Sequence, residues 1–153
     1  MKKTILTLWM IHQHPKILLG LKKRGFGKER WNGFGGHVES NETIEVAAKR
    51  EVFEEAGVAV NNMEKMGMIH FGWASKPDHE LEVHIFRTNV FEGEPTESEE
   101  MKPQWFHVDD IPYHAMWKDD VYWLPMLLAG KKFGGNFTFD DNDQIISHTL
   151  HAI

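Results

Sequence analysis

The sequence predicts an α/β fold in which a mixed β-sheet is sandwiched between helices. Three observations lead to this prediction. Segments typical of β-strands recur along the chain, one amphipathic helix follows a glycine turn, and a second helix precedes a closing hairpin. Strands and helices mixed in this order are typical of layered α/β proteins. The 153 residues suffice for a proper core, and we expect a single domain over 1–153.

The N-terminal part predicts a hairpin followed by a glycine-rich loop. Residues 4–12 and 17–22 are rich in β-formers and flank His14-Pro15, which predicts a turn. The stretch 23–30 is basic and broken by glycines, so it should be a loop. The sequence WNGFGG at 31–36 then places three glycines around aromatic residues. Glycines allow the backbone to approach a ligand closely.

The first helix should begin near Thr43 and end at Gly57. Thr43, with Glu42 before it and Glu45 in the first turn, suits a helix N-terminus. An apolar stripe at helical spacing follows, formed by Ile44, Ala47, Ala48 and Val52. One face of this helix should therefore pack on a core.

The rest of the chain predicts four strands, a second helix and the closing hairpin. The strands are expected at 58–60, 64–73, 81–91 and 102–108, with loops at 74–80 and 91–100. The second helix should cover 119–129 and stop at Gly130, with Pro125 tolerated near a kink. The hairpin should pair 133–139 with 144–153 around the turn 140–142.

Composition excludes several classes of protein. There is no cysteine, so neither a disulfide framework nor a thiolate zinc site is possible. No apolar run has the roughly 18 residues of a membrane helix, and the N-terminus fits a strand better than a signal peptide. The net charge of −6 argues against a nucleic-acid-binding surface. We therefore expect a cytoplasmic protein, monomeric by default, with neither a membrane nor a nucleic acid as partner.

The first helix carries a cluster of carboxylates. Glu51, Glu54 and Glu55 are spaced i, i+3 and i+4, which gathers them on one edge. Such like charges repel unless a cation lies among them, and hard oxygen donors suit Mg²⁺ or Mn²⁺. The carbonyl of Gly35 could complete the oxygen shell. The alternative is a solvated acidic face, which is the usual meaning of a charge run.

The whole stretch 36–58 matches a known pattern. Five residues separate Gly36 from Glu42, seven separate Glu42 from Arg50-Glu51, and Val52, Glu54-Glu55 and Gly57 follow. This pattern resembles the Nudix box at every defining position. The resemblance implies the Nudix α/β/α sandwich with a mixed sheet. It also implies metal-dependent hydrolysis of a nucleoside diphosphate linked to another group, with Mg²⁺ or Mn²⁺ bridging phosphate oxygens while water attacks phosphorus.

Outside the box, the segment 116–123 is the most informative. Asp119 and Asp120 lie beside tryptophans, so the carboxylates could read the edge of a purine while an indole stacks on its face. Spacing alone favours the other interpretation, a helix start with Asp119 or Asp120 as the cap and the tryptophans in the core.

A wider resemblance bears on this choice. The chain resembles the animal MutT homologues along nearly its full length, with matching stretches at 18–20, 22–27, 30–36, 97–98, 100–101, 105–106, 111–112, 116–117, 119–120 and 122–123. These Nudix enzymes hydrolyse 8-oxo-dGTP and 2-hydroxy-dATP to the monophosphate and pyrophosphate, which sanitises the nucleotide pool. The resemblance implies that activity here, with O6-methyl-dGTP and N6-methyl-dATP as further candidate substrates.

The same resemblance assigns residues to roles. Asn32, Asp119 and Asp120 would read the base edge, and Trp117 would stack on the base. Thr7, Phe26, Phe71, Leu81 and Trp123 would line the pocket, and Lys22 would lie near the sugar or phosphates. Phe34, Gly35, Gly36, His37 and Lys118 complete the expected substrate-binding set, with His37 near phosphate. Glu51, Glu54, Glu55 and Glu100 would hold the metal with the Gly35 carbonyl, Arg50 would orient a glutamate, and Glu42 would be structural.

The paired aspartates lead to a hypothesis about the range of bases. Two carboxyls held close together tend to share a proton, which raises one apparent pKa. A pair with one proton offers a donor and an acceptor. Moving that proton could accommodate oxidised guanine and oxidised adenine in one pocket.

Three positions depart from the resembling enzymes and leave the ranking of substrates open. Lys118 replaces a proline, Leu81 a methionine and Trp73 a phenylalanine.

Two rival interpretations of the function remain. One is a Nudix hydrolase of another nucleoside diphosphate derivative, such as a dinucleoside polyphosphate or ADP-ribose. The other is a non-catalytic nucleotide sensor, which would not need all three box glutamates.

Overall fold

The structure, a computed structural model, describes residues 1–153 and contains eight strands and two α-helices. The strands are β1 (Lys2–Gln13), β2 (Lys16–Lys22), β3 (Trp31–Asn32), β4 (Glu64–Trp73), β5 (His79–Thr88), β6 (Met101–His107), β7 (Phe133–Phe139) and β8 (Ile145–Ala152). The helices are α1 (Ile44–Ala56) and α2 (Asp120–Leu128), and 3-10 turns lie at Val108–Asp110 and Tyr113–Ala115. No helix is long and apolar enough to cross a membrane.

The strands form one mixed sheet. Its order is β3-β2-β1-β5-β4-β7-β8, and β6 pairs with the other edge of β2. β1 runs parallel to β5, and β4 runs parallel to β7. The remaining pairings are antiparallel. The predicted mixed sheet is therefore confirmed.

β1 and β2 pair over a short length and then diverge. Their register covers only Ile11 to Gln13 of β1. Beyond this point the glycine-rich loop takes the place of β2 beside β1. The Thr7 N–H donates to the Gly36 carbonyl at 2.9 Å, and the Trp9 N–H donates to the Phe34 carbonyl at 2.7 Å. This divergence opens a cleft, and the loop forms one of its walls.

The sheet separates two hydrophobic cores. One contains 15 buried residues and includes Trp123, Leu124 and Leu127 of α2. The other contains 11 buried residues and includes Ala48 and Val52 of α1. Because side chains alternate along a strand, β1 serves both cores. The α/β/α sandwich expected from the sequence is thus the observed architecture.

The ends of α1 follow the sequence prediction. The Thr43 hydroxyl accepts a hydrogen bond from the Val46 N–H at 3.2 Å, so Thr43 is the N-cap. Gly57 has φ of 74°, a left-handed conformation that glycine adopts without steric cost. An N-cap such as Thr43 contributes about 1 kcal/mol to helix stability and fixes where α1, which carries the glutamates, begins.

Some predicted bounds were wrong. Residues 58–60 do not form a strand, because only a single bridge joins Ala59 to Glu92. Their β-branched side chains reflect burial of Val58 and Val60 in the α1 core. β5 begins two residues earlier than predicted and ends at Thr88, while α2 begins at Asp120 instead of 119. The short β3 was not predicted.

Candidate active site

Arg50 organises the carboxylates on the outer edge of α1. Its guanidinium donates to both oxygens of Glu42, at 2.6 Å from Nε and 2.8 Å from Nη2. Nη1 donates to Glu51 at 2.8 Å and to Glu54 at 3.2 Å. The Arg50 guanidinium lowers the pKa of the Glu42 carboxyl to about 2. Arg50 therefore contacts two of the three box glutamates and fixes them to the glycine loop through Glu42 and the His37 carbonyl.

Glu55 has a different environment, because it points inward. Its carboxylate is 6% exposed and accepts a hydrogen bond from the Gly35 N–H at 3.0 Å. Burial raises the pKa of Glu55 to about 7, and the negative charges of Glu51 and Glu100 add to this effect. The Gly35 hydrogen bond and Lys22 act in the opposite direction. A buried carboxylate in this state favours a cation beside it.

Lys22 is the cation nearest to Glu55. Its Nζ lies 3.9 Å from Glu55 Oε2 and donates to Glu100 at 2.9 Å. Arg24 donates to the other oxygen of Glu100 at 2.8 Å. These two cations hold the pKa of Glu100 below its usual range. The loop that carries Glu100 is thus drawn to the same end of the cleft as α1.

The donor set fits a divalent cation by its chemistry. As the side chains stand, no group of three or more His, Asp or Glu residues is arranged to hold a metal. Arg50 and Lys22 already bind several of the oxygens concerned. However, these hard oxygen donors are of the kind that Mg²⁺ and Mn²⁺ prefer. Glu51, Glu54, Glu55 and Glu100 are the residues that would hold such an ion, with the Gly35 carbonyl, which accepts no hydrogen bond.

The glycines of the loop permit this approach. A Cβ at Gly36 would lie 2.5 Å from the carboxyl carbon of Glu51. A Cβ at Gly35 would overlap the Thr7 carbonyl oxygen. The loop therefore packs directly between β1 and α1 only because both positions lack a side chain.

A cavity of about 360 Å³ extends from Glu55 toward the start of α2. Twelve of the residues expected to bind substrate line it: Thr7, Lys22, Phe26, Asn32, Gly35, Gly36, His37, Phe71, Leu81, Trp117, Asp119 and Asp120. The strands β1, β4 and β5, the loop before α1 and the segment before α2 all contribute to this wall. A cavity of this size, lined by apolar side chains and a few polar groups, is typical of a small-molecule site.

Asp119 and Asp120 form the buried polar end of this cavity. They are 3% and 2% exposed. Asp119 accepts a hydrogen bond from the Trp123 indole N–H at 2.7 Å, whereas Oδ2 of Asp120 has no partner. Burial raises the pKa of both carboxyls, and the charge of Asp119 raises that of Asp120 further. Asp119 occupies the N-cap position of α2 without capping it through its side chain. The alternative in which an aspartate only caps the helix is therefore wrong for Asp119.

Asn32 also lines the cavity and has a free amide nitrogen. Its side-chain oxygen accepts a hydrogen bond from the Gly33 N–H at 2.8 Å. A backbone N–H can only donate, so this contact assigns the oxygen and leaves the NH₂ group available as a donor. Asn32 and the aspartates thus offer complementary groups to a heterocycle.

Aromatic rings form the wall beside the aspartates. The ring of Trp117 lies 4.9 Å from Phe26 with an interplanar angle of 31°. Trp73 and Phe139 approach Trp117 edge-on, at 6.3 and 5.9 Å. Flat aromatic surfaces of this kind suit stacking on a base.

Three residues expected to bind substrate lie outside this lining. Phe34 is 0% exposed and packs in the α1 core. Trp123 is 1% exposed, belongs to the α2 core and contacts the site only through Asp119. Lys118 lines a separate small cavity beside Arg30 and Asp143. Its position on α2 directs the Trp123 side chain inward, so the indole is buried in the core instead of lining the cavity.

Nine lining residues were not predicted: Leu6, Leu8, Gly27, Arg30, Gly33, Trp73, Val83, Met101 and Phe139. Most are apolar strand residues whose side chains could equally have been ordinary core. Leu6, Thr7 and Leu8 all line the cavity, so alternation along β1 does not identify the lining residues there. Arg30 carried no local signal either.

This fold and this helix-borne carboxylate site are those of a known family. The NUDIX domain family matches residues 3–127. The chain belongs to the Nudix family of hydrolases. Enzymes of this family generally need a divalent metal ion.

Two curated proteins and one solved structure are particularly similar. The chain is 51% identical over 147 residues to the mouse (Mus musculus) "Oxidized purine nucleoside triphosphate hydrolase", covering 96% of this chain and 94% of the relative. It is 48% identical over 149 residues to the zebrafish (Danio rerio) protein of that name, covering 97% and 95%. The crystal structure of a MutT protein from Bacillus halodurans superposes with a TM-score of 0.86 at 27% identity, covering 96% of this chain and 97% of that one.

Proposed function

We propose that this chain hydrolyses oxidised purine nucleoside triphosphates to the nucleoside monophosphate and pyrophosphate. Candidate substrates are 8-oxo-dGTP and 2-hydroxy-dATP, with O6-methyl-dGTP and N6-methyl-dATP as further candidates. Two nearly full-length relatives whose names state this substrate class support the proposal. In this reaction water adds to phosphorus, the bond between the α- and β-phosphates breaks, and pyrophosphate leaves.

One observation carries the proposal: the buried aspartate pair shares a cavity with Glu55. A nucleotide has a heterocycle at one end and phosphates at the other. The cavity is lined by Asn32, Asp119 and Asp120, which offer donors and acceptors, and by Glu55 and Lys22, which adjoin the other carboxylates of the site. The groups that line the site therefore match the two parts of a purine nucleotide.

The residues of the chain have separate tasks in this proposal. Trp117 stacks on the base, while Asp119 and Asp120 supply one donor and one acceptor from a shared proton. Lys22 offsets phosphate charge, and Arg50 holds Glu51 and Glu54 in position. A divalent ion, for which we propose Mg²⁺, supplies neutralisation of phosphate charge and acidifies water. Because Glu55 is buried, solvent is excluded from the place where the charge of the divalent ion would act.

The aspartate pair also bears on the rival substrates. A dinucleoside polyphosphate or ADP-ribose hydrolase would use the same box with an ordinary adenine. Ordinary adenine does not require two proton states in one pocket, whereas a site for both oxidised guanine and oxidised adenine does. A non-catalytic sensor is disfavoured because Glu51, Glu54 and Glu55 are all present.

The test is pyrophosphate release with Mg²⁺ from 8-oxo-dGTP, 2-hydroxy-dATP, O6-methyl-dGTP, dGTP and ADP-ribose. We expect strong preference for the modified purines, and loss of that activity in Glu55→Gln. Turnover of ADP-ribose alone would overturn the substrate assignment but would leave the type of reaction, hydrolysis of a diphosphate linkage, unchanged. No turnover of any substrate would favour the sensor.

Three further features stay predictions. We expect one domain, a monomer and a cytoplasmic location, without a nucleic acid or a membrane as partner. Sedimentation equilibrium would test the monomer directly.

A further inference from the structure

Arg30 lies where three separate segments of the chain meet. Its Nη2 donates to Asp143 Oδ2 at 3.1 Å, and its Cζ lies 4.0 Å above the ring of Trp117. The other oxygen of Asp143 accepts from the Trp73 indole N–H, also at 3.1 Å. Two tryptophans of the cavity wall are therefore joined through one ion pair, in the order Trp73, Asp143, Arg30, Trp117.

Asp143 is held firmly in the turn between β7 and β8. It has φ of 59°, a left-handed conformation that aspartate tolerates better than most residues. Asp140 Oδ1 accepts from the backbone N–H groups of Asn142 and Gln144, at 2.8 and 3.0 Å. The Asp143 N–H donates to the Asp140 carbonyl. The turn therefore presents the Asp143 carboxylate in a defined direction, with both oxygens engaged.

The residue after Trp117 is Lys118, which restricts the backbone there less than a proline would. Arg30 lies over the indole of Trp117, and Phe26 lies 4.9 Å from the same ring. A guanidinium over an indole is attracted to the negative face of the ring. The orientation of Trp117 thus depends on where Arg30 is held.

We propose that Arg30, Asp143 and Trp73 form a clamp that fixes the stacking plane of Trp117 and thereby sets the affinity and selectivity for the modified base. This inference rests on the proposed function. Arg30 and Asp143 are positioning residues that act through Trp117. Trp73 takes part through its indole N–H, which donates to Asp143.

Trp73→Phe is the sharpest test, because it keeps an aromatic ring and removes the donor. The expected result is a rise in KM for 8-oxo-dGTP of about tenfold, the usual effect of one hydrogen bond to a charged group, with little change in kcat. Asp143→Asn keeps the turn and an acceptor for Trp73 but removes the ion pair, so it should behave similarly. Trp105→Phe is the matched control, since Trp105 lies on β6 outside the cavity, and its KM should not change.

Coupling distinguishes a clamp from independent contacts. If the contacts act as one unit, Arg30→Lys combined with Trp73→Phe raises KM by less than the product of the single effects. Selectivity between 8-oxo-dGTP and 2-hydroxy-dATP should also change in each variant. Unchanged KM and selectivity in Trp73→Phe and Asp143→Asn, with wild-type turnover intact, would overturn the inference.

A measurement without nucleotide separates this inference from the proposed function. In protein labelled with 5-fluorotryptophan, the ¹⁹F resonance of Trp117 is assigned from its loss in Trp117→Phe. That resonance should shift or broaden in Trp73→Phe and Asp143→Asn and stay unchanged in Trp105→Phe. An unchanged resonance would refute the clamp, whereas an inactive wild type with a shifted resonance would refute only the substrate assignment.

Discussion

The cavity has carboxylates at both ends, and their surroundings differ. At the α1 end, Arg50 binds Glu51 and Glu54, while Lys22 lies between Glu55 and Glu100. At the α2 end, Asp119 and Asp120 are almost fully buried and form no ion pair, with a single indole N–H as external donor. The same functional group thus lies near cations at one end and is buried without a cation at the other. Solvation and neighbouring charge, more than residue type, distinguish the two ends.

The largest effect should come from Glu55→Gln at the charged end. Loss of this carboxylate removes part of the cation site, which we expect to lower kcat by about a thousandfold. Thermal unfolding should show no loss of stability, because burial already disfavours the charged form of Glu55. The measurements are pyrophosphate release and melting temperature, with Glu45→Gln in the first turn as control. A variant that melts much earlier than wild type would mean that Glu55 is structural.

At the proton-sharing end, Asp119→Asn and Asp120→Asn should change which base is accepted. Each variant fixes one donor pattern, so kcat/KM should fall by about 10- to 100-fold for one oxidised purine and less for the other. Steady-state kinetics on 8-oxo-dGTP and 2-hydroxy-dATP test this. If both variants hydrolysed both substrates with the same kcat/KM as the wild type, the proton-sharing hypothesis would be wrong. Asp109→Asn, on the surface, is the control.

Arg50→Lys should lower both activity and stability moderately. Lysine cannot make the two parallel bonds to Glu42 while also reaching Glu51. Loss of charge-assisted bonds at this partly exposed site should cost about 1–2 kcal/mol of unfolding free energy and reduce kcat about tenfold. Denaturant unfolding and turnover give the two values, and Lys49→Gln is a neighbouring control. A change in KM alone would contradict an orienting role on the glutamates.

The smallest effect is a pH dependence of stability at the aspartate end. The pKa of Asp120 is raised in the folded state, so between its ordinary value near 4 and its folded value the native state binds more protons than the unfolded state. Stability from this group is therefore full at low pH and is lost as pH rises toward the raised pKa of the folded state. Asp120→Asn should gain stability relative to wild type as pH increases from 4 to 8. Chemical denaturation across this range tests the sign, and a constant difference would contradict it.

The sequence was most informative where chemistry and spacing coincide. Glu51, Glu54 and Glu55 could be placed on one helix from their spacing, and Thr43 and Gly57 define the helix by local capping. The partners of those glutamates were harder to predict from the sequence, because Lys22 comes from β2 and its contacts depend on tertiary structure. Trp123 was assigned to the cavity, yet its ring is in the core, because an indole that follows a pair of aspartates within one helical turn fits both descriptions. Arg30 and Asp143 are 113 residues apart, and no local pattern links them.

The alternation of β1 has a consequence for how this protein can vary. Leu6, Leu8 and Met10 pack in or against the α2 core, whereas Trp9 and Ile11 pack in the α1 core. Substitutions at these positions affect one face at a time. A one-residue insertion would exchange both faces at once, because side chains of the α1 core would then point toward the α2 core and the cavity. Length at β1 is therefore more tightly constrained than residue identity, and related chains can differ there by substitution but not by insertion.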